Sequence, residues 1–344
     1  MKILVTGTAG FIGSYVAKAL LLQGHEVVGL DTINAYYDVQ LKYARLAAAG
    51  IEQERIEEHV LIPSTLYPAY RFIKLDLTAR DALTQLFETE RFDAVINLAA
   101  QAGVRHSIED PYAYIESNVI GFLNLLENCR HHPVKHLIYA SSSSIYGTNT
   151  KVPYAEGDQV DTPVSLYAAT KKADELMAHA YSTLYGIPTT GLRFFTVYGP
   201  WGRPDMAPYL FMEAVLEGNP IKVFNHGEMQ RDFTYIDDIV AGVMKVVNHP
   251  SAESVPYRIY NIGNSTPVEL MHFISVIEQV TGRKAVKQLM EMQPGDVVST
   301  LADTTRLQRD FGYKSETSVE EGIRRFYDWM MAYRLMPSIV SKPV

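Results

Sequence analysis

The sequence contains very little cysteine and no long apolar run. Cys129 is the single cysteine among 344 residues, which excludes an intrachain disulfide and a zinc site built from cysteines. The first apolar run stops at Gly7, too early for the core of a signal peptide, and no later stretch approaches the ~18 apolar residues that span a bilayer. These absences predict a protein of the cytoplasm with no membrane segment.

Positive charge is also scarce. The formal net charge is −8, and no sustained basic stretch interrupts the chain, which argues against a general nucleic-acid binder. Any bound phosphate must therefore meet a few placed basic side chains or backbone N–H groups. His131 and His132 are adjacent and would point apart, and no carboxylates have metal-ligand spacing, so we predict no metal site.

The first half of the sequence alternates short β-branched runs with helical patterns. Residues 11–23 have a helical pattern, and the predicted strands are KILVTG, EVVGLD, YRFIKLDL, DAVINLAA and HLIYASSS. Such alternation predicts an α/β protein with a doubly wound parallel sheet, the Rossmann fold. Residues 34–70 are a long polar excursion, for which we expect a helix and a surface loop able to act as a lid.

Glycine and proline become dense in VYGPWGRPDMAP, just after the predicted strand TTGLRFF. The alternation stops there, and helix and strand patterns return in RDFTYIDDIVAGVMKVV and IYNIGN. We therefore predict a sheet domain of residues 1–192 and about 232–262. A smaller C-terminal lobe, interleaved with it, would comprise about 193–231 and 263–344.

A glycine-rich turn, GTAGFIG, follows the first predicted strand. Gly7, Gly10 and Gly13 each lack a Cβ where one would obstruct the turn, the approach of a pyrophosphate or the packing of helix on strand. The helix that follows offers N–H groups and partial positive charge to phosphates. Asp31 ends the second strand, where it would accept hydrogen bonds from the adenosine ribose and repel a 2′-phosphate. The expected cofactor is therefore NAD rather than NADP.

Four serines, Ser141 to Ser144, end the strand HLIYA, and Tyr167 and Lys171 follow in a helical segment. Because the carboxyl ends of parallel strands face the ligand crevice, the hydroxyls would face a bound nicotinamide. Tyr167 and Lys171 would share one helix face, although composition alone gives about two Tyr-to-basic pairs at this spacing. A free tyrosine has a pKa of ~10, so general-base work near neutral pH needs a nearby positive charge such as the lysine.

Together these motifs resemble the extended short-chain dehydrogenase/reductase family along most of the chain. In that family a tyrosine is the general base, a lysine holds it ionised and binds the nicotinamide ribose, and a serine or threonine assists. The resemblance assigns these roles to Tyr167, Lys171 and either Ser142 or Ser144. It implies NAD contacts at Gly7, Gly10, Phe11, Ile12, Gly13, Asp31, Asn34, Asp76, Leu77, Leu98, Ala99, Ala100, Gln101, Asn118, Ser141, Tyr167, Lys171 and Phe195.

Longer stretches are similar to the UDP-glucuronate 4-epimerases within that family. They are DTINAYYDVQLKYARL, NLAAQAGVRHSIEDP, VDTPVSLYAATKKADELMAHAYS, GLRFFTVYGPWGRPDMA and MQRDFTYIDDI. The resemblance implies inversion at C4 of UDP-glucuronate through a transient 4-keto sugar, with NAD in the sheet domain and the UDP-sugar in the smaller lobe.

The same resemblance implies a set of substrate contacts. Arg231 would contact the diphosphate, Asp296 the uridine ribose, and Val223 and Phe224 the uracil. The sugar and its carboxylate would be contacted by Ser142, Thr196, Arg203 and Arg105.

Three other functions stay open at this point. A UDP-glucose 4-epimerase needs the same Tyr, Lys and Ser set. Decarboxylases and dehydratases of this family commonly carry an acidic residue just before the Tyr-Gly pair, where this sequence has Ser143, Ser144 and Ile145. A sensor that binds the dinucleotide without turnover is the non-enzymatic alternative.

Residues 111–130 and 167–185 are long helical patterns with apolar faces. In the family that the sequence resembles, such helices form a four-helix dimer interface. The resemblance therefore implies a homodimer.

Overall fold

A computed structural model describes residues 1–293 and 297–335. Within these residues the helices are α1 (Phe11–Leu22), α2 (Val39–Ala48), α3 (Arg80–Glu90), α4 (His106–Glu109), α5 (Pro111–Tyr114), α6 (Gly121–His131), α7 (Leu166–Tyr185), α8 (Ala207–Glu217), α9 (Ile236–Val247), α10 (Leu270–Thr281), α11 (Thr305–Phe311) and α12 (Val319–Leu335). The strands are β1 (Lys2–Thr6), β2 (Glu26–Asp31), β3 (Leu61–Pro63), β4 (Tyr70–Lys74), β5 (Ala94–Asn97), β6 (His136–Ser142), β7 (Thr189–Phe194), β8 (Thr196–Tyr198), β9 (Pro220–Val223), β10 (Gln230–Arg231), β11 (Phe233–Tyr235), β12 (Tyr257–Ile262), β13 (Val268–Glu269) and β14 (Val286–Leu289). Short 3-10 turns lie at Gln53–Arg55, Ser143–Tyr146 and Phe224–Gly227, and Ile115–Ile120 is π-helical.

Eight strands form one sheet in the order β12-β7-β6-β5-β1-β2-β4-β3. Neighbouring strands run parallel except β3, which pairs antiparallel with β4 at the edge. The order reverses at β1, which has β2 on one side and β5 on the other, so a crevice opens beyond its carboxyl end. The predicted doubly wound α/β fold is confirmed.

Strand β1 illustrates why these runs form central strands. Ile3 and Val5 belong to the apolar cluster on one face of the sheet, and Leu4 belongs to the cluster on the other face. All three side chains are fully buried. Helices α1 and α9 supply the first cluster and α3 and α6 the second, and a strand covered on both faces needs a nearly continuous apolar sequence.

The excursion at residues 34–70 contains the predicted helix, α2, but part of the predicted loop is the edge strand β3. Arg45 of α2 is only 2% exposed. Its guanidinium donates hydrogen bonds to the carbonyl oxygens of Trp201 (2.7 Å) and Ala9 (3.0 Å) and to the hydroxyl of Tyr37 (2.7 Å). A buried arginine needs such partners, and these tie the excursion to both the glycine turn and the loop after β8. The role of the excursion as a lid stays a prediction.

A second core lies in the part of the chain that follows β7. Helices α8, α10 and α12 pack around Phe211, Phe273 and Phe326. Strands β9 and β14 form a small parallel sheet of their own, whereas β12 pairs with β7 in the central sheet. The chain therefore leaves the central sheet after β7 and re-enters it at β12. The domain boundaries at residues 192, 232 and 262 stay a prediction.

Helix α5, the π-helical turn and α6 form one continuous helix that packs beside α7. Its exposed apolar side chains include Tyr112, Ile120 and Leu123, and α7 exposes Leu176 and Leu184. The role of these helices as a dimer interface stays a prediction. None of the helices in the described ranges combines the length and the hydropathy that crossing a membrane requires.

Candidate active site

The turn between β1 and α1 forms part of the wall of a large cavity. Gly7 has a φ of +75°, and a Cβ added there would lie 2.8 Å from the backbone nitrogen of Ala99. A Cβ added to Gly13 would lie 2.1 Å from the carbonyl oxygen of Gly7. Side chains cannot approach backbone this closely, so the turn can close on itself and pack against the segment after β5 only with glycine at these positions. The N-terminus of α1 has no side-chain cap, and its N–H groups suit a phosphate.

Asp31 is held in a fixed position at the end of β2. Its Oδ2 accepts the N–H of Ala9 at 3.0 Å, and its Oδ1 accepts the N–H of Ile33 at 2.8 Å. Lys42 of α2 lies nearby, where its Nζ donates to the Oδ1 of Asn34 at 2.6 Å. Burial lowers the pKa of Lys42, and the charge of Asp31 acts in the opposite direction. Both side chains line the cavity, where Asp31 keeps lone pairs for a ribose.

The segment that follows β5 is anchored to α7 through Asn118. The Asn118 side chain accepts the N–H of Gln101 at 2.8 Å and donates to its carbonyl oxygen at 3.0 Å. It also donates to the hydroxyl of Thr170 at 3.0 Å, and that hydroxyl donates to the carbonyl oxygen of Tyr167 at 2.9 Å. Asn118 is buried and is not among the residues that line the cavity, and its hydrogen bonds fix Gln101 and the start of α7. Its predicted contact with NAD stays a prediction.

The cavity has a volume of about 1160 Å³ and extends from the glycine turn past the serine turn to the second lobe. Most of the residues predicted to contact ligands line it, namely Gly7, Gly10, Phe11, Ile12, Gly13, Asp31, Asn34, Asp76, Leu77, Leu98, Ala99, Ala100, Gln101, Arg105, Ser141, Ser142, Ser144, Tyr167, Lys171, Phe195, Thr196, Arg203, Phe224 and Arg231. Asp296 lies outside the described residues.

Val223 and Phe224, which are both predicted to contact the uracil, have different surroundings. The Val223 side chain is fully buried in the core of the second lobe and does not line the cavity, whereas Phe224 does. Val223 is the last residue of β9, and Phe224 begins the 3-10 turn that follows it. The contact of both residues with the uracil stays a prediction.

Tyr167 and Lys171 lie one turn apart on α7, and both line the cavity. Ser165 caps the helix by accepting the N–H of Ala168, which places Tyr167 in the first turn. The Lys171 ammonium is 2% exposed and donates a 2.9 Å hydrogen bond to Oδ2 of Asp174. Burial disfavours the charged form, but the negative charge of Asp174 and its hydrogen bond outweigh burial and raise the pKa of Lys171. The lysine is therefore a cation in the wall of the cavity.

The two serine candidates differ in their surroundings. Ser142 Oγ accepts the N–H of Ser144 at 3.2 Å and so begins the 3-10 turn Ser143–Tyr146. The hydroxyl of Ser144 is buried and has no hydrogen-bond partner among the residues that the structure describes. Ser141 is committed elsewhere, because its hydroxyl donates to Glu175 at 2.7 Å. Ser142 and Ser144 each keep a hydroxyl hydrogen with which to bind a ligand.

Arg203 forms an ion pair with Asp205 in the loop that follows β8. Its Nε donates to Oδ1 at 3.0 Å, and its Nη2 donates to Oδ2. Tyr36 donates its hydroxyl to Oδ2 of Asp205 at 3.0 Å, and the centre of its ring lies 5.8 Å from the guanidinium carbon. All three side chains line the cavity, as does Thr196 at the start of β8.

Two more arginines line the same cavity. The guanidinium carbon of Arg105 lies 4.9 Å from the centre of the Phe224 ring. Arg231 donates from Nη1 to the carbonyl oxygens of Gln230 (2.9 Å) and Val298 (3.1 Å). Guanidinium groups beside an aromatic ring suit a ligand that has both phosphates and a flat base. Over residues 1–293 and 297–335, no group of three or more His, Cys, Asp and Glu side chains could hold a metal ion.

Comparison with known proteins identifies the family. The profile of the NAD dependent epimerase/dehydratase family matches residues 3–263, most of the chain. This chain belongs to that family. Protein CapI of Staphylococcus aureus is 50% identical over 347 residues, which cover 97% of this chain and 99% of that protein. A probable UDP-glucuronate 4-epimerase of Rhizobium meliloti is 46% identical over 344 residues, which cover 96% of each chain.

Among solved structures, the UDP-glucuronic acid 4-epimerase of Bacillus cereus, in complex with UDP-glucuronic acid and NAD, is similar to this chain. The TM-score is 0.86 at 32% identity, and the match covers 97% of this chain and 100% of that one.

The residues of this epimerase/dehydratase site fit NAD. The glycine turn leaves no Cβ beside the N-terminus of α1, where a pyrophosphate would lie. Asp31 is fixed where it would accept hydrogen bonds from the adenosine ribose. Lys171 supplies a buried cation on the same cavity wall as the serine turn, where it would contact the other ribose.

Several residues of this epimerase/dehydratase site had no strong signal in the sequence. Asp174 had a weak one, since it lies three residues after Lys171 and therefore on the same helix face. Asp205 follows Arg203 by two residues, but an acidic residue in a polar loop is unremarkable in a sequence. Tyr36 had none, because 169 residues separate it from Asp205.

Proposed function

We propose that this protein is an NAD-dependent UDP-glucuronate 4-epimerase that interconverts UDP-glucuronate and UDP-galacturonate. One observation carries the proposal: Tyr167 and Lys171 line a single cavity together with the glycine turn and Arg203. The same cavity therefore offers a general base, a dinucleotide site and a cation able to bind a sugar carboxylate.

Tyr167 removes the proton of the C4 hydroxyl, and the positive charge of Lys171 favours the phenolate that does so. Bound NAD would supply the acceptor for the C4 hydride and the donor that returns it. The sugar would pass through a 4-ketone and would turn so that its opposite face meets the cofactor. Tyr167 then gives the proton back to the C4 oxygen, so the configuration inverts without net oxidation.

Either Ser142 or Ser144 assists this proton transfer by binding the C4 oxygen. The unpartnered hydroxyl of Ser144 supports a direct contact, and Ser142 keeps its hydroxyl hydrogen while it caps the turn. A hydrogen bond from either hydroxyl stabilises the negative charge that develops on the oxygen during the transfer.

Plain epimerisation is favoured over the related eliminations. Dehydration or decarboxylation with further proton steps would use an acidic residue in the turn before Tyr146, and that turn has Ser143, Ser144 and Ile145 instead. The chain thus carries the base for oxidation at C4 without a carboxylate for a second proton step.

The substrate contacts follow the layout of the cavity. Arg203 and Thr196 bind the sugar carboxylate, supported by Arg105, because a guanidinium matches a carboxylate in two parallel hydrogen bonds. Arg231 binds the diphosphate, and Phe224 stacks on the uracil. Asp296 keeps its predicted role at the uridine ribose.

The protein further acts as a homodimer in the cytoplasm and serves nucleotide-sugar metabolism for polysaccharide synthesis. The exposed apolar residues on α5, α6 and α7 support a dimer, because two copies of this helix pair would bury them in a four-helix bundle.

The test is product analysis with purified protein. UDP-glucuronate and UDP-glucose are incubated separately, the products are separated by chromatography, and Tyr167→Phe serves as the control. We expect UDP-galacturonate from UDP-glucuronate, and none from the variant. If UDP-galactose forms from UDP-glucose faster than UDP-galacturonate forms from UDP-glucuronate, the protein is a UDP-glucose 4-epimerase. A UDP-pentose product would indicate a decarboxylase. Absence of turnover with both substrates would indicate a sensor that binds the dinucleotide.

A further inference from the structure

Arg203 is already paired with a carboxylate of its own chain. Asp205 binds the Nε and Nη2 edge of the guanidinium in two hydrogen bonds, the arrangement that a sugar carboxylate would also adopt. The two side chains are 21% and 25% exposed and both line the cavity, so solvent only partly screens their interaction. The Asp205 carboxylate therefore occupies the edge for which a uronate would compete.

A residue of the 34–70 excursion holds Asp205 in this position. Tyr36 donates its hydroxyl to Oδ2, and the ring of His106 lies 4.7 Å from the ring of Tyr36. A Cβ on Gly103 would lie 2.5 Å from the Tyr36 hydroxyl, so glycine there leaves room for the tyrosine. Tyr36, which belongs to the excursion, thus fixes the position of Asp205, the acceptor of the Arg203 hydrogen bonds.

We propose that Asp205 is a specificity-determining residue, which balances the charge of Arg203 and so allows the cavity to bind neutral UDP-hexoses as well as uronates. This inference rests on the proposed function. A neutral sugar leaves the ion pair intact, so no partly buried charge loses its partner. A uronate has to share or displace Asp205 to reach Arg203, which weakens its binding relative to a site that has the arginine alone.

The test measures the dissociation constants of UDP-glucose and UDP-glucuronate for the NAD-loaded protein by calorimetry. In Asp205→Asn we expect the ratio of the UDP-glucose constant to the UDP-glucuronate constant to rise roughly tenfold, because only the uronate can then pair with Arg203. Asp205→Glu keeps the charge, and Asp81→Asn removes an exposed one on α3, so both should keep the parent ratio. Tyr36→Phe, which only loosens Asp205, should raise the ratio by a smaller factor.

Each other outcome overturns the inference. Equal changes in both constants would make Asp205 structural, and a fall in the ratio would mean that it only orients Arg203 for the uronate. Circular dichroism and NAD content show whether Asp205→Asn folds. If it does not fold, an unchanged ratio in Tyr36→Phe would overturn the inference. A parent that neither binds nor converts UDP-glucuronate overturns the proposed function itself. A parent that converts it and shows no change of ratio in the variants overturns the inference alone.

Discussion

The Lys171 ammonium and the Asp174 carboxylate form a 2.9 Å hydrogen bond between side chains that are each 2% exposed. The other oxygen of Asp174, Oδ1, has no hydrogen-bond partner within the described ranges. Burial raises the pKa of Asp174 to about 6, while the charge of Lys171 acts in the opposite direction. Above that pH a negative charge lies behind the lysine and offsets part of its positive field at Tyr167.

Asp174→Asn should therefore move the acid limb of the kcat profile to lower pH. Asparagine keeps an oxygen acceptor for Lys171 but removes the charge, so the lysine stabilises the Tyr167 phenolate more strongly. We expect a displacement of roughly half a pH unit to one unit. The measurement is kcat against pH, with Asp81→Asn as the control for a lost surface charge. An acid limb that stays at the parent position would mean that Asp174 only holds the lysine in place.

Tyr167→Phe and Lys171→Met should both inactivate the enzyme but differ in NAD retention. The first removes the base and none of the proposed phosphate contacts, so epimerisation should fall by at least ~100-fold while NAD stays bound. The second also removes the ammonium proposed to bind the nicotinamide ribose, so the purified variant should carry less NAD. Turnover and NAD content are measured on the same preparations. Equal NAD content in the two variants would contradict the double role of Lys171.

Asp31→Ala should relax the preference for NAD over NADP. The substitution removes an acceptor for the ribose hydroxyls and a charge that repels a 2′-phosphate. We therefore expect the ratio of the NADP dissociation constant to the NAD dissociation constant to fall roughly tenfold. Asp31→Asn keeps the shape and removes the charge, so it separates repulsion from lost hydrogen bonds. Unaltered discrimination in both variants would show that another residue reads the ribose.

Arg203→Ala and Thr196→Ala should release carbon dioxide from UDP-glucuronate. Oxidation at C4 places a ketone β to the C5 carboxylate, and such acids decarboxylate when the carboxylate loses its hydrogen bonds. A charged hydrogen bond is worth ~1.5–3 kcal/mol, so losing one should shift the partition toward a UDP-4-keto-pentose by tenfold or more.

Mass spectrometry of the product mixture detects that pentose, and Arg309→Ala on the surface is the matched control. Variants that lose only affinity and form no keto-pentose would place the protective role elsewhere.

His136 makes the stability of the fold depend on pH. Its ring is 1% exposed, with Nδ1 3.1 Å from the carbonyl oxygen of Val247 and Nε2 2.9 Å from the Thr190 hydroxyl. Burial lowers the pKa of His136 from 6.5 to about 4. Between these pH values the unfolded chain binds a proton that the folded protein does not. The free energy of unfolding is therefore highest above pH 6.5 and decreases as the pH falls toward 4. His136 accounts for a decrease of about 3 kcal/mol over this range.

His136→Asn should therefore show a weaker dependence of unfolding free energy on pH in that window. Urea unfolding at pH 7 and pH 5 measures it, and the exposed His59→Asn is the control. If the free energy of unfolding changes equally between pH 7 and pH 5 in the parent and in His136→Asn, other groups cause the loss of stability at low pH.

The central sheet and the cofactor end of the site could be predicted because their signals are local. A continuous apolar run such as KILVTG predicts a buried strand without reference to the rest of the chain. The spacing of Gly7, Gly10 and Gly13 predicts one tight turn, and the structure has the close contacts that such a turn requires. The helix that carries Tyr167 and Lys171 is likewise defined by neighbouring residues, from its cap at Ser165 onward.

The sugar end could be predicted only in part, because its contacts join distant segments. Tyr36 meets Asp205 across 169 residues, and with 22 tyrosines and 39 acidic residues the sequence offers no basis for choosing that pair. The π-helical turn at Ile115–Ile120 could also be predicted only in part, because apolar spacing predicts a helix there but not its wider turn.

The buried guanidinium of Arg45 has a consequence for how ligands exchange. It joins the glycine turn to the loop at Trp201 and Gly202 through at least three hydrogen bonds. Opening the cavity at that loop would strip a buried cation of its partners, which costs several kcal/mol. The nucleotide sugar should therefore exchange through other segments while the wall around the dinucleotide remains shut. We expect a cofactor retained in this way to complete the oxidation and the reduction within one residence, so that turnover should not depend on the NAD/NADH ratio of the surrounding solution.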